Sequence, residues 1–201
     1  MTRPDDEPQV VTAERADAAV QILADSFYRD PLWSWAMPDD DRRRDQHRAV
    51  WGQFVEAAIP HSWVWLTGNG AATSLWLPPG VPELTAEQAE QFEPMLVDLL
   101  GAGASRVLQA FDVLDHGHPH DEPHFYLSLL GTDPGRLGHG YGLGLLAANL
   151  RAIDQLALPA YLEASNEANV PLYARYGFRP RARLVMPDDG PDVVTLWRDP
   201  A

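Results

Sequence analysis

Glycine stands at four alternate positions, 138, 140, 142 and 144, in the stretch GRLGHGYGLG, between the apolar run HFYLSLL and the helix-like LLAANLRAIDQL. Alternate glycines cost backbone entropy and give a core nothing to pack, so their use lies in what bare backbone does. A strand, a glycine loop and a helix N-terminus together offer unpaired N–H groups and the positive end of a helix dipole to an anion, above all a phosphate or pyrophosphate. A nucleoside-triphosphate loop must end in Gly-Lys-Ser/Thr; this one runs into Gly-Leu-Leu, with neither the lysine nor a hydroxyl for magnesium. A dinucleotide fingerprint needs glycines at relative positions 0, 2 and 5. Counted from Gly138 the last falls on Leu143, and from Gly140 on Leu145, although Glu163 stands where that fold wants an acid.

Other residues able to do chemistry are few. Glu163 is a carboxylate inside the otherwise apolar strand-like AYLEAS, a placement that needs a partner or a purpose. His116, His118, His120 and His124 crowd HGHPHDEPH, but three of them lie in a proline-bearing loop with no helix to fix metal geometry, so the expectation is a loop without metal, either solvated or mobile beside the substrate mouth. Phe27, Tyr28, Trp33 and Trp35 form either an aromatic wall for a flat or cationic group, with Asp30 nearby, or part of the core. With no cysteine, disulfides, thiolate metal sites and a cysteine nucleophile are excluded. The balance of 15 basic and 29 acidic residues, net −14, disfavours a nucleic-acid backbone as partner. No window approaches the roughly 18 apolar residues of a membrane span, and MTRPDDEPQ lacks the apolar centre of a leader, so a cytoplasmic protein is expected.

The elements that must position these groups can be read along the chain. Residues 1–8 form a polar, flexible tail; QVVTAE reads as a strand and ADAAVQILADSFYRD as a helix ending near Asp30-Pro31. PLWSWAMPDDD reads as turn-rich, and DRRRDQHRAVWGQFVEAAIPH as a second helix. SWVWLTGNGAATSLWLPP is a hairpin about Gly68-Asn69-Gly70. Glu83 opens a helical stretch broken around Gly101 and Gly103, and HFYLSLLGT is a strand. After the glycine loop come a helix over 143–156, the strand AYLEAS, the short helix NVPLYARYG and a final strand pair in FRPRARLVM and VVTLWRD. One mixed α/β domain over 1–201 is expected.

The alternation Gly138-x-Gly140-x-Gly142 after an Asp-Pro turn resembles the acetyl-CoA pyrophosphate loop of the GCN5-related N-acetyltransferases (GNAT), whose pattern is Gln/Arg-x-x-Gly-x-Gly/Ala. Leu137 stands at the Gln/Arg position, a departure that removes a side-chain contact but leaves the backbone donors; Arg136 either supplies the missing charge or is a solvated loop arginine. Downstream, NEANVPLYARYGF resembles the family's Asn-x-x-Ala-x-x-Leu-Tyr-x-x-x-Gly-Phe signature, matching at Asn166, Leu172, Tyr173, Gly177 and Phe178, with Asn169 at the alanine position. DSFYRDPLWSWAMPDDDRRR and YLEASNEANVPLYARYGF resemble the puromycin N-acetyltransferase branch.

The resemblance implies a mixed central β-sheet flanked by helices, with strands splayed at the acetyl-CoA site, and direct transfer of an acetyl group to a primary amine. Leu130, Gly131, Thr132, Leu137, Gly138, His139, Gly140, Tyr141, Gly142 and Asn166 would bind acetyl-CoA, with Gly144 packing the helix; Asn166 alternatively caps a helix. Tyr173 would be the general acid to the departing thiolate. Glu163 would be the base or hold the amine, unless water or an already neutral amine serves. Tyr28, Trp33 and Trp35 would meet a small-molecule amine, an antibiotic or aminonucleoside being one form of it. A non-catalytic acyl-CoA sensor and a protein-lysine or N-terminal acetyltransferase are the alternatives, and the protein is expected to be a monomer or homodimer.

Overall fold

Apolar residues run without alternation through WVWL and LWL in the two strands, so both faces of this hairpin must be covered, and the rest of the chain supplies the cover. The computed structural model describes residues 7–201. Its strands are β1 (Pro8–Val10), β2 (Val64–Thr67), β3 (Ala72–Leu77), β4 (Phe125–Thr132), β5 (Ala160–Ala164), β6 (Arg179–Leu184) and β7 (Val193–Arg198). They form one sheet in the order β1-β2-β3-β4-β5-β7-β6, in which β4 and β5 pair in parallel and every other neighbour pair is antiparallel. The expected mixed α/β fold is therefore present. Of the expected tail, residues 1–6 lie outside the described residues, whereas Pro8 already pairs with Thr67 as the first residue of β1.

Helices α1 (Ala16–Phe27), α2 (Pro31–Ala36), α3 (Arg43–Ala58), α4 (Ala86–Leu100) and α5 (Ala104–Gly117) enclose a core with Leu66, Leu75, Leu77 and Leu129 on one face of the sheet. Helix α6 (Tyr141–Asp154) covers the other face, where Trp76, Phe125, Leu127, Leu162 and Leu196 pack against Leu146, Leu150 and Ile153. The short α7 (Val170–Ala174) follows β5. None of these helices is long and apolar enough to cross a membrane.

Several boundaries differ from the sequence reading for local reasons. QVVTAE is a strand only to Val10, giving way to a 3-10 turn at Ala13–Arg15. PLWSWA is a helix, because the Asp30 carboxylate accepts from the N–H groups of Leu32 (3.0 Å) and Trp33 (3.2 Å) and Pro31 occupies the first turn. Helix α4 starts after Thr85, which forms a reciprocal capping box with Gln88, and so leaves Glu83 in the preceding loop.

Strand β4 also changes phase. The register against β3 pairs Leu75 with Leu129 but Trp76 with Leu127, so Ser128 is an extra residue, a bulge. Before it, Phe125 and Leu127 face α6; after it, Leu129 faces the opposite core. The bulge thus puts Ser128 and Leu129 on the same side and bends the strand where it leaves its parallel neighbour.

Candidate active site

Strands β4 and β5 pair only at Phe125–Ala160, Tyr126–Tyr161 and Leu127–Leu162. Beyond these and the bulged Ser128, residues 129–132 are held by β3 alone, and Glu163 and Ala164 by β7 alone. The two strands therefore part, and each turns an unpaired row of backbone N–H and C=O groups toward the gap. Residues 127–130 and 162–165, together with Trp33, Asn169 and Tyr173, line the resulting cleft.

The glycine loop closes one end of it. Gly138 and Gly140 take φ of +80° and +79°, conformations that side chains resist, and the loop between Leu137 and Gly140 is exposed. Asp133 turns the chain by accepting from the Gly135 N–H at 2.8 Å. Arg136 Nη1 donates to the Asn69 carbonyl at 3.1 Å, tying the loop to the β2–β3 turn. Gly140 caps α6, and Gly144 N–H is the first to return to it, leaving the earlier amides of a 14-residue helix pointing outward. Gly142 has a different role. A Cβ there would stand 2.4 Å from Thr132 Oγ1, so it lets α6 touch the end of β4, whereas a Cβ on Gly144 meets nothing within 4 Å. The close-packing role expected of Gly144 belongs to Gly142, because Gly142 faces β4 and Gly144 faces solvent. His139 and Tyr141 stack with ring centres 6.1 Å apart, and Leu137 is 63% exposed.

At the middle of the cleft Glu163 is 6% exposed in its side chain. Tyr126 Oη donates to its Oε2 at 2.5 Å, while its Oε1 is buried with no hydrogen-bond partner and faces His118 Nδ1 at 3.6 Å. A second carboxylate, Glu83 from the loop before α4, accepts from Ser128 Oγ at 2.6 Å. Burial, and then the charge of Glu163, push the Glu83 carboxyl up to about 7 against the pull of that hydrogen bond. Burial foremost, with the Glu163 charge, pushes the Tyr126 phenol far above the usual tyrosine range, so it acts here as a donor.

Tyr173 packs edge-on against Phe178, ring centres 6.0 Å apart, and faces the same cleft. Burial and then the nearby Asp30 charge raise its phenol to about 12. Asp30 is itself buried, its carboxyl raised by that burial, and it accepts from Ser165 Oγ at 2.7 Å, joining the start of α2 to the end of β5. Asn166 Oδ1 accepts from the Ala168 N–H at 3.0 Å, the capping arrangement.

The structure thus brings Tyr173, Glu163, Trp33 and Leu130 to one cleft, with Gly131 and Thr132 completing β4 toward the glycine loop. It does not bring Tyr28 or Trp35 there. Tyr28 Oη donates to the Asp40 carbonyl at 3.0 Å and its ring lies under Arg43 and Arg44; Trp35 lies against Gly190 and Met186 under Arg106. Gly131 has its Cβ direction blocked by Ser26 and Leu23 of α1, so its bareness serves packing. Sequence reasoning missed Glu83 and Ser128, and named His118 only as a member of the histidine loop. The Thr85–Gln88 capping box was the signal that Glu83 lies outside the helix. His118 is not a solvated loop residue: its ring packs on Tyr126 and Tyr161, and its Nε2 lies 3.1 Å from His124 Nε2. Among the described residues no three His, Asp or Glu side chains are grouped to hold a metal ion.

A groove of about 830 Å³ opens on the other side of Glu83, Tyr126 and Glu163. Its walls come from the β3–α4 loop, α4, α5 and the histidine loop. The size suits a small molecule. A cleft with phosphate-type donors at one end, two carboxylates and a phenol in the middle, and a groove beyond can hold one long anionic substrate and one compact second substrate against each other.

No family model matches the chain. An uncharacterised N-acetyltransferase of Schizosaccharomyces pombe is 26% identical over 181 residues, covering 84% of this chain and 72% of that protein. Among solved structures, a histone acetyltransferase HPA2-related acetyltransferase of Corynebacterium glutamicum superposes with a TM-score of 0.68 at 26% identity, over 96% of both chains. A polyamine N-acetyltransferase of Drosophila melanogaster, an enzyme that forms N-acetylagmatine, is alike in fold at a TM-score of 0.63 and 12% identity, over 96% of this chain and 99% of that one. Arylalkylamine N-acetyltransferase 2 of Aedes aegypti is alike at 0.67 and 11%, over 97% and 99%.

Proposed function

The chain belongs to the GCN5-related N-acetyltransferase family, and from that premise we propose that it moves the acetyl group of acetyl-CoA to the primary amine of a small molecule in a ternary complex. The observation that carries this reading is the parting of β4 from β5, with the glycine loop at one end and both Glu163 and Tyr173 facing the gap. The residues present fit the donor. Gly138, Gly140 and the amides at the start of α6 suit a pyrophosphate, and the unpaired edge of β4 over Leu130, Gly131 and Thr132 suits an amide-bearing arm and a thioester carbonyl. Leu137 contributes only its backbone to such a site, as do His139 and Tyr141; Asn166 fixes the end of β5 through its cap.

Acetyl-CoA supplies an acyl carbon already activated by a thiol leaving group. Glu163 takes the proton that leaves the incoming ammonium, freeing the nitrogen lone pair to form the C–N bond as the C–S bond breaks. Tyr173 is protonated throughout the neutral range. It gives its proton to the departing sulfur, whose own proton affinity rises in the same desolvated cleft, and recovers one from the acylated nitrogen. Of Tyr28, Trp33 and Trp35, Trp33 is the one that lines the cleft where acetyl group and amine would meet.

The reading is tested by following thiol release from acetyl-CoA across a panel of amines, an aminonucleoside and an aminoglycoside included because of the resemblance of the N-terminal half. Amine-dependent release with formation of the N-acetyl product is expected. Tight acetyl-CoA binding without transfer to any small amine, peptide lysine or peptide N-terminus would identify a sensor instead.

A further inference from the structure

Glu163 Oε1 is a buried carboxylate oxygen without a hydrogen-bond donor, a state that costs on the order of 1–3 kcal/mol or more. The hydrogen-bond network shows what it lacks. His124 Nδ1 faces the Glu122 carbonyl at 2.5 Å and so carries a hydrogen; its Nε2 must then accept from His118 Nε2. His118 Nδ1 then stands 3.6 Å from Glu163 Oε1, beyond hydrogen-bond reach, and that oxygen is left without a donor from the protein. A proton or a cationic N–H donor is missing at this point, and it lies on the groove. Glu83 lines the same groove and is close enough to feel the Glu163 charge.

The rest of the groove is of a different character. Of the carboxylates at its outer rim, Glu122 pairs with Arg181, Asp115 lies 3.6 Å from His120 Nε2, and Asp121 is exposed to solvent. The walls are Phe54, Phe92, Phe111, Leu84 and prolines of the β3–α4 loop. Positive charge is therefore wanted at depth, beside Glu83 and Glu163, and an apolar body along the walls.

Resting on the transferase reading above, we propose that the acceptor is a primary ammonium on an alkyl or arylalkyl body, its charge held by Glu83 and Glu163 and its body lying against Phe92 and Phe111. The ammonium N–H groups satisfy Glu163 Oε1. Loss of one proton from the ammonium to the carboxylate pair leaves the neutral amine for attack, so charge and protons balance without any further reactant. The groups facing Glu83 are Ser128 and Tyr126 from β4, Glu163 from β5 and Asp115 and His118 from the α5 end, and burial still raises its carboxyl to about 7.

The test measures kcat/KM with acetyl-CoA for 2-phenylethylamine, hexylamine, spermidine and an aminonucleoside. The two apolar amines are expected to exceed the others by about 10-fold or more. Preference for spermidine or the aminonucleoside, or equal rates for all four, overturns this inference and leaves the transferase reading standing; acetyl-CoA binding with no transfer to any amine overturns the transferase reading itself. Phe92→Ser is expected to raise KM for 2-phenylethylamine about 10-fold more than KM for methylamine, which has no body to lie against residue 92. The isosteric Glu83→Gln is expected to lose about 100-fold in kcat/KM at pH 7 and with it the rise of kcat/KM through pH 7. Unchanged kinetics in either variant would overturn the assignment.

Discussion

Tyr173 and Glu163 lie 10 residues apart in the chain yet face one cleft because β5 ends beside the bulged β4 and α7 turns back over it. Tyr173 was legible because a signature fixes its register; Glu163 was legible because a charged residue stands in an apolar strand. Glu83 was not, since a glutamate before a helical pattern reads as a first-turn residue until the cap at Thr85 is weighed. Ser128 and His118 acquire their roles from a bulge and a ring stack, neither of which leaves a pattern in the residues themselves. The assignment of Tyr173 has a direct consequence. Tyr173→Phe removes one hydroxyl from a ring still packed on Phe178, so kcat is expected to fall about 10²- to 10⁴-fold while the KM for acetyl-CoA stays within a few-fold. Stopped assays of thiol release would show this; turnover equal to the parent protein would remove Tyr173 from the chemistry.

The elements were legible where period and punctuation agree, as in the β2–β3 hairpin, the break at Gly101–Gly103 and the strand-loop-helix around the glycines. They were misread where a single cap decides, as at Asp30, whose carboxylate turns a tryptophan-rich stretch into α2. Within the glycine loop, sequence spacing alone could not separate bare backbone needed for a ligand from bare backbone needed for packing. The distinction predicts opposite signs for two neighbouring substitutions. Gly142→Ala forces its Cβ against Thr132 Oγ1, so α6 must move away from β4; both thermal stability and acetyl-CoA affinity should drop. Adding Thr132→Ala removes the opposed hydroxyl, leaving the Thr132 Cβ at 3.8 Å, and should restore most of the loss. Gly144→Ala, on an open helical position, should instead stabilise by about 0.5–1 kcal/mol. Thermal melts of the three variants decide the matter, and a stabilised Gly142→Ala would contradict the packing role.

At the scale of the whole molecule, two cores on opposite faces of one sheet meet polar groups at a few buried points, and these set the response to pH. His47 in α3 is fully buried. Its Nδ1 lies 3.4 Å from the Ala24 carbonyl, its Nε2 has no partner, and Arg43 stands one turn away. Burial first, with the Arg43 charge adding to it against the carbonyl contact, lowers its pKa to about 4. In the unfolded chain the same ring titrates near 6.5. Between those values the unfolded state binds more protons, so stability rises with pH through the window from about 4 to about 6.5 and is lost as pH falls through it. The size for one such group is about 2–3 kcal/mol between pH 7.5 and pH 4.5. Asp30 and Glu83 act the other way. Their raised carboxyls hold protons in the folded state, and the stability they contribute fades as pH rises. The net curve of the parent protein is therefore shallower than the histidine alone would give, and the informative quantity is the difference from His47→Leu. Urea unfolding at pH 7.5 and 4.5 should show the parent losing about 2–3 kcal/mol relative to that variant on acidification; a parallel loss in both would place the acid sensitivity in groups other than His47.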